Sequence, residues 1–273
     1  MTTMSTPSTA AFDTGVKARH RALWVSGDYP AVADVIAALG ERLVEATAIG
    51  SGDRVLDVAA GAGNVAVPAA RTGAHVVASD LTPELLETGR TRHPDLGIIW
   101  RTADAEDLPF DDDSFDVVTS CVGVMFTPDH LRSARELVRV SRPGGRIGLI
   151  NWTPAGFIGR LFAVMKPYAP PLPPGTQPGI RWGDPDYIAT LFGDKADLES
   201  HAESLTVSAF ADGAAFRDFF KAAYGPTVTA YRRIADDAEQ VAALDAAMAG
   251  LADEAIVDGT MEWEYLITTA TAR

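Results

Sequence analysis

Cysteine is nearly absent. The one thiol, Cys121, rules out an internal disulfide and any cysteine-rich zinc site. No other metal-ligand spacing stands out, so no metal is expected. There is no run of about 18 apolar residues, so no membrane span is expected. The opening MTTMSTPSTA lacks the basic-then-apolar pattern of a secretory signal and reads as a polar tail, residues 1–11. These shortages together suggest a cytoplasmic protein. Positive charge is also scarce. Against 37 acidic residues stand 23 basic ones, a net charge of −14 that repels phosphate backbones and anionic lipid. Basic residues cluster only locally, as at Arg19-His20-Arg21 and Arg232-Arg233. Nucleic acid is a poor candidate partner, and a small molecule is the better one.

What the chain has is a repeating alternation of short apolar runs and helical periods. Val32, Val35, Ile36, Leu39, Leu43 and Val44 recur at helical spacing, with Asp28 as cap and Pro30 in the first turn, predicting a helix over 30–46. Strands are predicted at 54–59, 75–79, 97–102, 115–122 and 146–152. Helices are predicted after Gly63, over 83–92 behind Thr82, and over 128–140, the last stopped by Arg142-Pro143-Gly144-Gly145. This order implies an α/β fold: a doubly wound, mostly parallel sheet with helices on both faces and ligands beyond the carboxyl ends of the strands. Beyond residue 153 the pattern loosens. Short helices are expected at 156–165, 186–191, 216–224 and 238–252, with strands at 197–210 and 261–269. Six prolines in 166–179 exclude a helix or central strand there. No linker divides 12–273, so it is read as a single domain.

The stretch at the centre is Val55 to Asn64, VLDVAAGAGN, with Asp80 beyond it. Gly61 and Gly63 lack a Cβ, so a ligand could approach the backbone or the turn could use positive φ. Asp80 ends the second strand, where an acid accepts hydrogen bonds from both hydroxyls of a ribose. Asp104 follows the third strand, within reach of an exocyclic amine such as adenine presents. Gly61 to Ala66 also fits the dinucleotide fingerprint G-x-G-x-x-A. Asp57 decides between the two cofactor classes. NAD brings a pyrophosphate that a nearby carboxylate repels, whereas S-adenosylmethionine (SAM) brings an ammonium and a sulfonium that it attracts. One such pair at ~4 Å and an effective dielectric of ~20 is worth on the order of 4 kcal/mol before desolvation.

Four segments then carry a family resemblance: VLDVAAGAGN, ASDLTPELL, ADAEDLPFDDDSFDVV and LVRVSRPGGRIGLINW. Together they resemble the class I SAM-dependent methyltransferases of the ubiquinone/menaquinone-methyltransferase-like type, over roughly residues 30–152. The resemblance implies a Rossmann-like sheet of seven strands with a C-terminal lid or insert. Residues 30–152 would form the SAM-binding core, and 12–29 with 153–260 the substrate-side cap. It implies that Asp57, Ala59, Gly61 and Gly63 surround the methionine part, that Asp80 holds the ribose and that Leu81 lies under the adenine. Asp104 and Ala105 would contact the adenine edge, and Cys121 would lie where the fourth strand opens toward the sulfonium. One departure is visible: Ala59-Ala60 stand where many members carry Gly-Cys or Gly-Thr.

The implied reaction is transfer of the SAM methyl group to an oxygen, nitrogen or carbon nucleophile of a small molecule, quinone-like, phenolic or another secondary metabolite, with S-adenosylhomocysteine as product. No residue stands out as a general base; His20 and His130 are the candidates. Trp24, Tyr168 and Trp182 are candidates for the substrate side, and the proline-rich loop for a lid. Two other readings remain: an NAD-dependent oxidoreductase, and a SAM-binding protein without catalysis.

Overall fold

The structure is a computed structural model describing residues 9–173 and 175–273. The first eight residues of the expected tail lie outside that range. The rest of the tail belongs to the first helix, α1 (Thr9–Val25). Two helices follow where one was expected, α2 (Tyr29–Val35) and α3 (Ala37–Ala46). Ile36 separates them at φ −105° and ψ 15°, outside helical geometry. Asp28 caps α2, its carboxylate accepting the Ala31 N–H at 3.4 Å.

The core then alternates. β1 (Arg54–Val58), α4 (Ala66–Arg71), β2 (His75–Asp80), α5 (Pro83–Arg92), β3 (Ile99–Thr102), β4 (Phe115–Cys121), α6 (His130–Val140) and β5 (Ser141–Trp152) run in sequence. In α6 the buried residues His130, Ser133, Ala134, Leu137 and Val140 fall at helical spacing, which lays one face on the sheet. The expected Arg142–Gly145 stop does not separate α6 from β5. Strand pairing begins at Ser141, opposite Phe115, and resumes at Arg146, opposite Val117, with the proline–glycine segment bulging between.

After β5 come α7 (Phe157–Met165), α8 (Pro185–Phe192), β6 (Ala196–Val207), α9 (Gly213–Ala223), α10 (Gly225–Arg233), α11 (Ala238–Ala255) and β7 (Met261–Ala272). Helix α10 was not expected from the sequence. The strands form one sheet in the order β3-β2-β1-β4-β5-β7-β6. β7 alone runs antiparallel to its neighbours, β5 and β6. Residues 153–260 are therefore more than a cap, since they supply an edge strand of the main sheet. One apolar cluster runs through both faces, from Leu39 and Leu43 on α3 to Leu137 on α6 and Trp263 on β7. Reversal of the strand order occurs between β1 and β4, which places the binding crevice at the carboxyl ends of those two strands.

Candidate active site

β1 carries an acid in its buried face because the side chain has partners there. Asp57 accepts the Ala66 N–H at 3.0 Å and the Thr119 hydroxyl at 3.2 Å. It thereby ties the first turn of α4 and strand β4 to the glycine loop. Its side chain does not line the cleft that opens above. Burial raises its pKa to about 7, against the pull of those two hydrogen bonds.

That shift has a consequence for stability. The folded protein keeps a proton on Asp57 up to about pH 7, whereas the free carboxyl releases it near 3.8. Between those values the native state binds more protons than the unfolded state, so this group's contribution to stability falls as pH rises. Asn at position 57 could still accept from Ala66 and donate to Thr119 without ionising. The stability advantage of Asp57→Asn over the parent is expected to grow from pH 5 to pH 8, by at most about 3 kcal/mol. Urea unfolding at both pH values measures it; an unchanged difference contradicts the assignment.

Asp80 is the acid that faces the cleft. One carboxylate oxygen accepts the Gly61 N–H at 2.9 Å and the other the Thr82 N–H at 2.8 Å. The Thr82 hydroxyl makes no capping bond. The carboxylate is thus fixed at the end of β2, 9% exposed, with its remaining lone pairs toward the opening. Burial raises its pKa, and the Thr82 and Gly61 N–H groups hold it down.

The cleft encloses about 670 Å³ including its open mouth. Of the residues the sequence singled out, Ala59, Gly61, Asp80, Leu81, Asp104, Ala105, His20 and Trp24 line it. Lys17, Tyr29, Thr82, Val122, Gly123, Thr127 and Pro128 line it too and were not foreseen as site residues, and Phe126 lines it beside them. Tyr29 was hidden inside a helix-start signal, between Asp28 and Pro30. The segment after β4 shows only as a break in the strand pattern. Helix α1 forms one wall, through Lys17, His20 and Trp24. Its Lys17 ammonium bridges Asp104 and Glu106, at 2.7 Å from the latter. Asp104 also accepts the Glu106 N–H at 2.9 Å, so its carboxylate is engaged from both sides.

Two backbone conformations at the cleft are strained. Ala59 has φ 55° and Val122 φ 51°, a region that a β-branched residue rarely enters. Val122 is held there by its N–H, which donates to the Ile150 carbonyl at 2.7 Å. Such strain costs on the order of 1–3 kcal/mol and gathers at functional sites.

Other expectations are corrected. Gly63 has φ 100°, but a Cβ there would meet the Trp100 ring at 2.7 Å. Glycine is required at that position by packing, and Gly63 does not line the cleft. Cys121 does not line it either, and burial pushes its thiol pKa up. His130 is 2% exposed, 2.9 Å through Nδ1 from the Tyr187 hydroxyl, and away from the opening. Burial lowers its pKa to about 4. Trp182 is wholly buried beside His130 and Phe192, and Tyr168 packs on the core outside the cleft. No described residue of the proline-rich loop lines the opening, so as placed it is not a lid.

A sheet of this order with an antiparallel seventh strand is the Rossmann-like methyltransferase fold. A model described as "Methyltransferase domain" matches residues 56–149. The uncharacterized protein Rv1403c of Mycobacterium tuberculosis is 51% identical over 92% of this chain and 93% of its own length. Rv1405c of the same organism is 48% identical over 99% of this chain and all of its own. The chain belongs to the same family as these two proteins, and its residues 56–149 carry the methyltransferase domain. A demethylmenaquinone methyltransferase of Clavibacter sepedonicus shares 43% identity over 45% of this chain and 51% of its own. Among solved structures, the YcgJ protein of Bacillus subtilis superposes with a TM-score of 0.59 at 18% identity, over 86% of this chain and 98% of that one. The cyclase SpnF superposes at 0.53 and 18% identity, over 86% and 81%. A cyclase on the same fold shows that the topology alone does not fix the chemistry.

Proposed function

We propose that this chain is a SAM-dependent methyltransferase acting on a small-molecule acceptor. The observation that carries it is the Asp80 carboxylate, pinned by two backbone N–H groups and facing a cleft lined by Ala59, Gly61, Leu81, Asp104 and Ala105. Those residues fit an adenosyl group. Asp80 would accept the ribose hydroxyls, Leu81 would lie against the base, and Asp104 with Ala105 would meet its edge. The donor supplies a methyl group already activated on a sulfonium. The protein's task is then alignment and exclusion of water. In the transfer, a lone pair of the acceptor forms the new bond to the methyl carbon. The carbon–sulfur pair returns to sulfur, leaving a neutral thioether, and the acceptor proton passes to a base or to water.

His20 is the base candidate that the geometry favours. It lines the cleft, and burial lowers its pKa, so it is uncharged at neutral pH and free to accept a proton. His130 is enclosed elsewhere. His20→Gln is expected to lower methyl-transfer turnover on the order of 10²-fold, while the affinity for S-adenosylhomocysteine changes less than about twofold. It should also remove the acid limb of the pH–rate profile, which in the parent rises as His20 loses its proton below pH 6.5.

The NAD reading loses support from Asp57. A pyrophosphate at the glycine loop would use the first free amides of α4, and the Ala66 N–H is already taken by the Asp57 side chain. No described helix is long and apolar enough to cross a membrane, which together with the lone cysteine supports a cytoplasmic location. Release of S-adenosylhomocysteine from SAM with a panel of acceptors tests the proposal. Turnover on any acceptor supports it; tight SAM binding without turnover on a broad panel would leave a binding protein instead.

A further inference from the structure

The sheet ends differently on its two sides. One edge is β3, four residues long. The other is β6, twelve residues long. β6 pairs with β7 without a bulge, from Ala196 opposite Ala272 to Val207 opposite Met261. Among the described residues no backbone bond joins β6 to anything but β7. Every second residue of β6 therefore turns an N–H and a C=O outward. Soluble proteins blunt such edges by shortness, a bulge, proline or lysine. β3 is short, whereas β6, with the sequence ADLESHAESLTV, uses none of the four. Its charges are acids, and two of the three are compensated from within the chain. Asp197 pairs with Arg273. Glu203 accepts from Arg42 at 2.7 Å and lies 2.8 Å from the His201 ring.

We infer that β6 is an interface, pairing antiparallel with the β6 of a second copy of this chain about a two-fold axis normal to the sheet at Ala202. The inference rests on the fold and is independent of the cofactor reading. Register carries it. Residues that stand opposite each other in such a pair share a face, so odd-numbered positions meet odd ones and even meet even. Two registers of this kind engage eleven of the twelve residues. The one centred on His201 sets Glu199 opposite Glu203 twice and the two His201 rings against each other. The one centred on Ala202 sets His201 opposite Glu203 twice, and no like charges face each other anywhere along it. Like charges directly across antiparallel strands destabilise the pair, and a donor ring facing a carboxylate stabilises it. The sequence thus selects the second register. Each Glu203 then lies between the His201 of its own strand and that of the second copy. The opposite face carries Leu198, Ser200, Ala202, Ser204 and Thr206, uncharged throughout, with the small Ala202 on the axis. Pairing over this length forms about ten backbone bonds, the number found in a typical stable protein interface.

The two-fold axis reverses strand direction. The clefts at the carboxyl ends of β1 and β4 therefore open at opposite ends of the joined sheet. β4, β5 and β7 stand between β1 and β6, so neither cleft is covered by the pairing. Ligand affinity is expected to be the same in monomer and dimer.

The test is sedimentation velocity of the full-length protein over about 1–100 μM in ~0.15 M salt, where the net charge of −14 is screened within about 8 Å. A dimer is expected, and a parent that stays monomeric throughout that range overturns the inference. His201 is 62% exposed, so its substitution leaves the core untouched. His201→Glu sets acid against acid and is expected to weaken the dimer at least about tenfold. His201→Lys keeps a donor opposite Glu203 and should hold the dimer within about threefold. Equal melting temperatures of the two variants show that the fold is intact in both. Equal weakening by both overturns the register, and no weakening by His201→Glu overturns the assignment to β6. Ala202→Cys gives an independent reading. Residues directly opposite have Cα atoms about 4.5–5.5 Å apart, which a disulfide spans. Mild oxidation is expected to trap Ala202→Cys as a covalent dimer and to leave Ser200→Cys and Ser204→Cys, each displaced from its own copy across the axis, largely uncoupled. Equal cross-linking of all three contradicts the axis at Ala202.

Discussion

Replacing Asp80 with alanine is expected to raise the Kd for SAM and for S-adenosylhomocysteine by roughly tenfold to 150-fold, the equivalent of about 1.5–3 kcal/mol. Two losses combine. The ribose hydroxyls lose a charged acceptor, and the Gly61 and Thr82 N–H groups lose the carboxylate that holds the loop against the end of β2. The second loss also lowers fold stability, by about 1–3 kcal/mol if both amides stay dry. Asp80→Asn separates the two. An amide oxygen can still take one of the N–H groups, so the fold should be closer to the parent while ligand affinity remains reduced. Calorimetry for affinity and thermal melting for stability give the two readings independently. An unchanged affinity in Asp80→Ala would remove Asp80 from the binding site.

Gly61→Val is expected to have the larger effect, with adenosyl-ligand binding lost beyond about 100-fold. Gly61 lines the cleft and has φ 56°. A Cβ at that position would stand 3.3 Å from the Tyr29 ring. Two methyl groups would project into the same space. A β-branched residue would also drive the backbone out of the left-handed region, pulling the Gly61 N–H away from Asp80. Gly61→Ala makes a graded comparison, since it adds the Cβ strain without the branches. Normal binding in Gly61→Val would mean that the ligand does not approach this loop.

The doubly wound sheet was legible because its strands are short apolar runs punctuated by glycine, proline and capping residues. β1, β2, β4 and α5 fall within two residues of where the sequence places them. The motif acids at 80 and 104 also arrive at the cleft, since strand ends fix where such residues stand. Long-range packing was what the sequence concealed. Gly63 and Trp100 are far apart in the chain, and only the fold shows that the glycine makes room for the indole. Asp57 reads as a ligand contact by its motif, yet the Ala66 N–H and Thr119 hydroxyl turn it inward. The Ile36 break, helix α10 and the bulge before Arg146 leave no strong periodic trace. Between the two histidine candidates only geometry could decide. His20 lies on the covering helix with nothing in its neighbours to mark it, while His130 opens an amphipathic helix and is drawn into the core.

The central claim is that the cleft over Asp80 is built for an adenosyl donor. Its most direct test is parallel calorimetric titration of the protein with SAM, S-adenosylhomocysteine and NAD. The account predicts micromolar binding of both adenosyl compounds and none of NAD. Binding of NAD with no response to either adenosyl compound would contradict it.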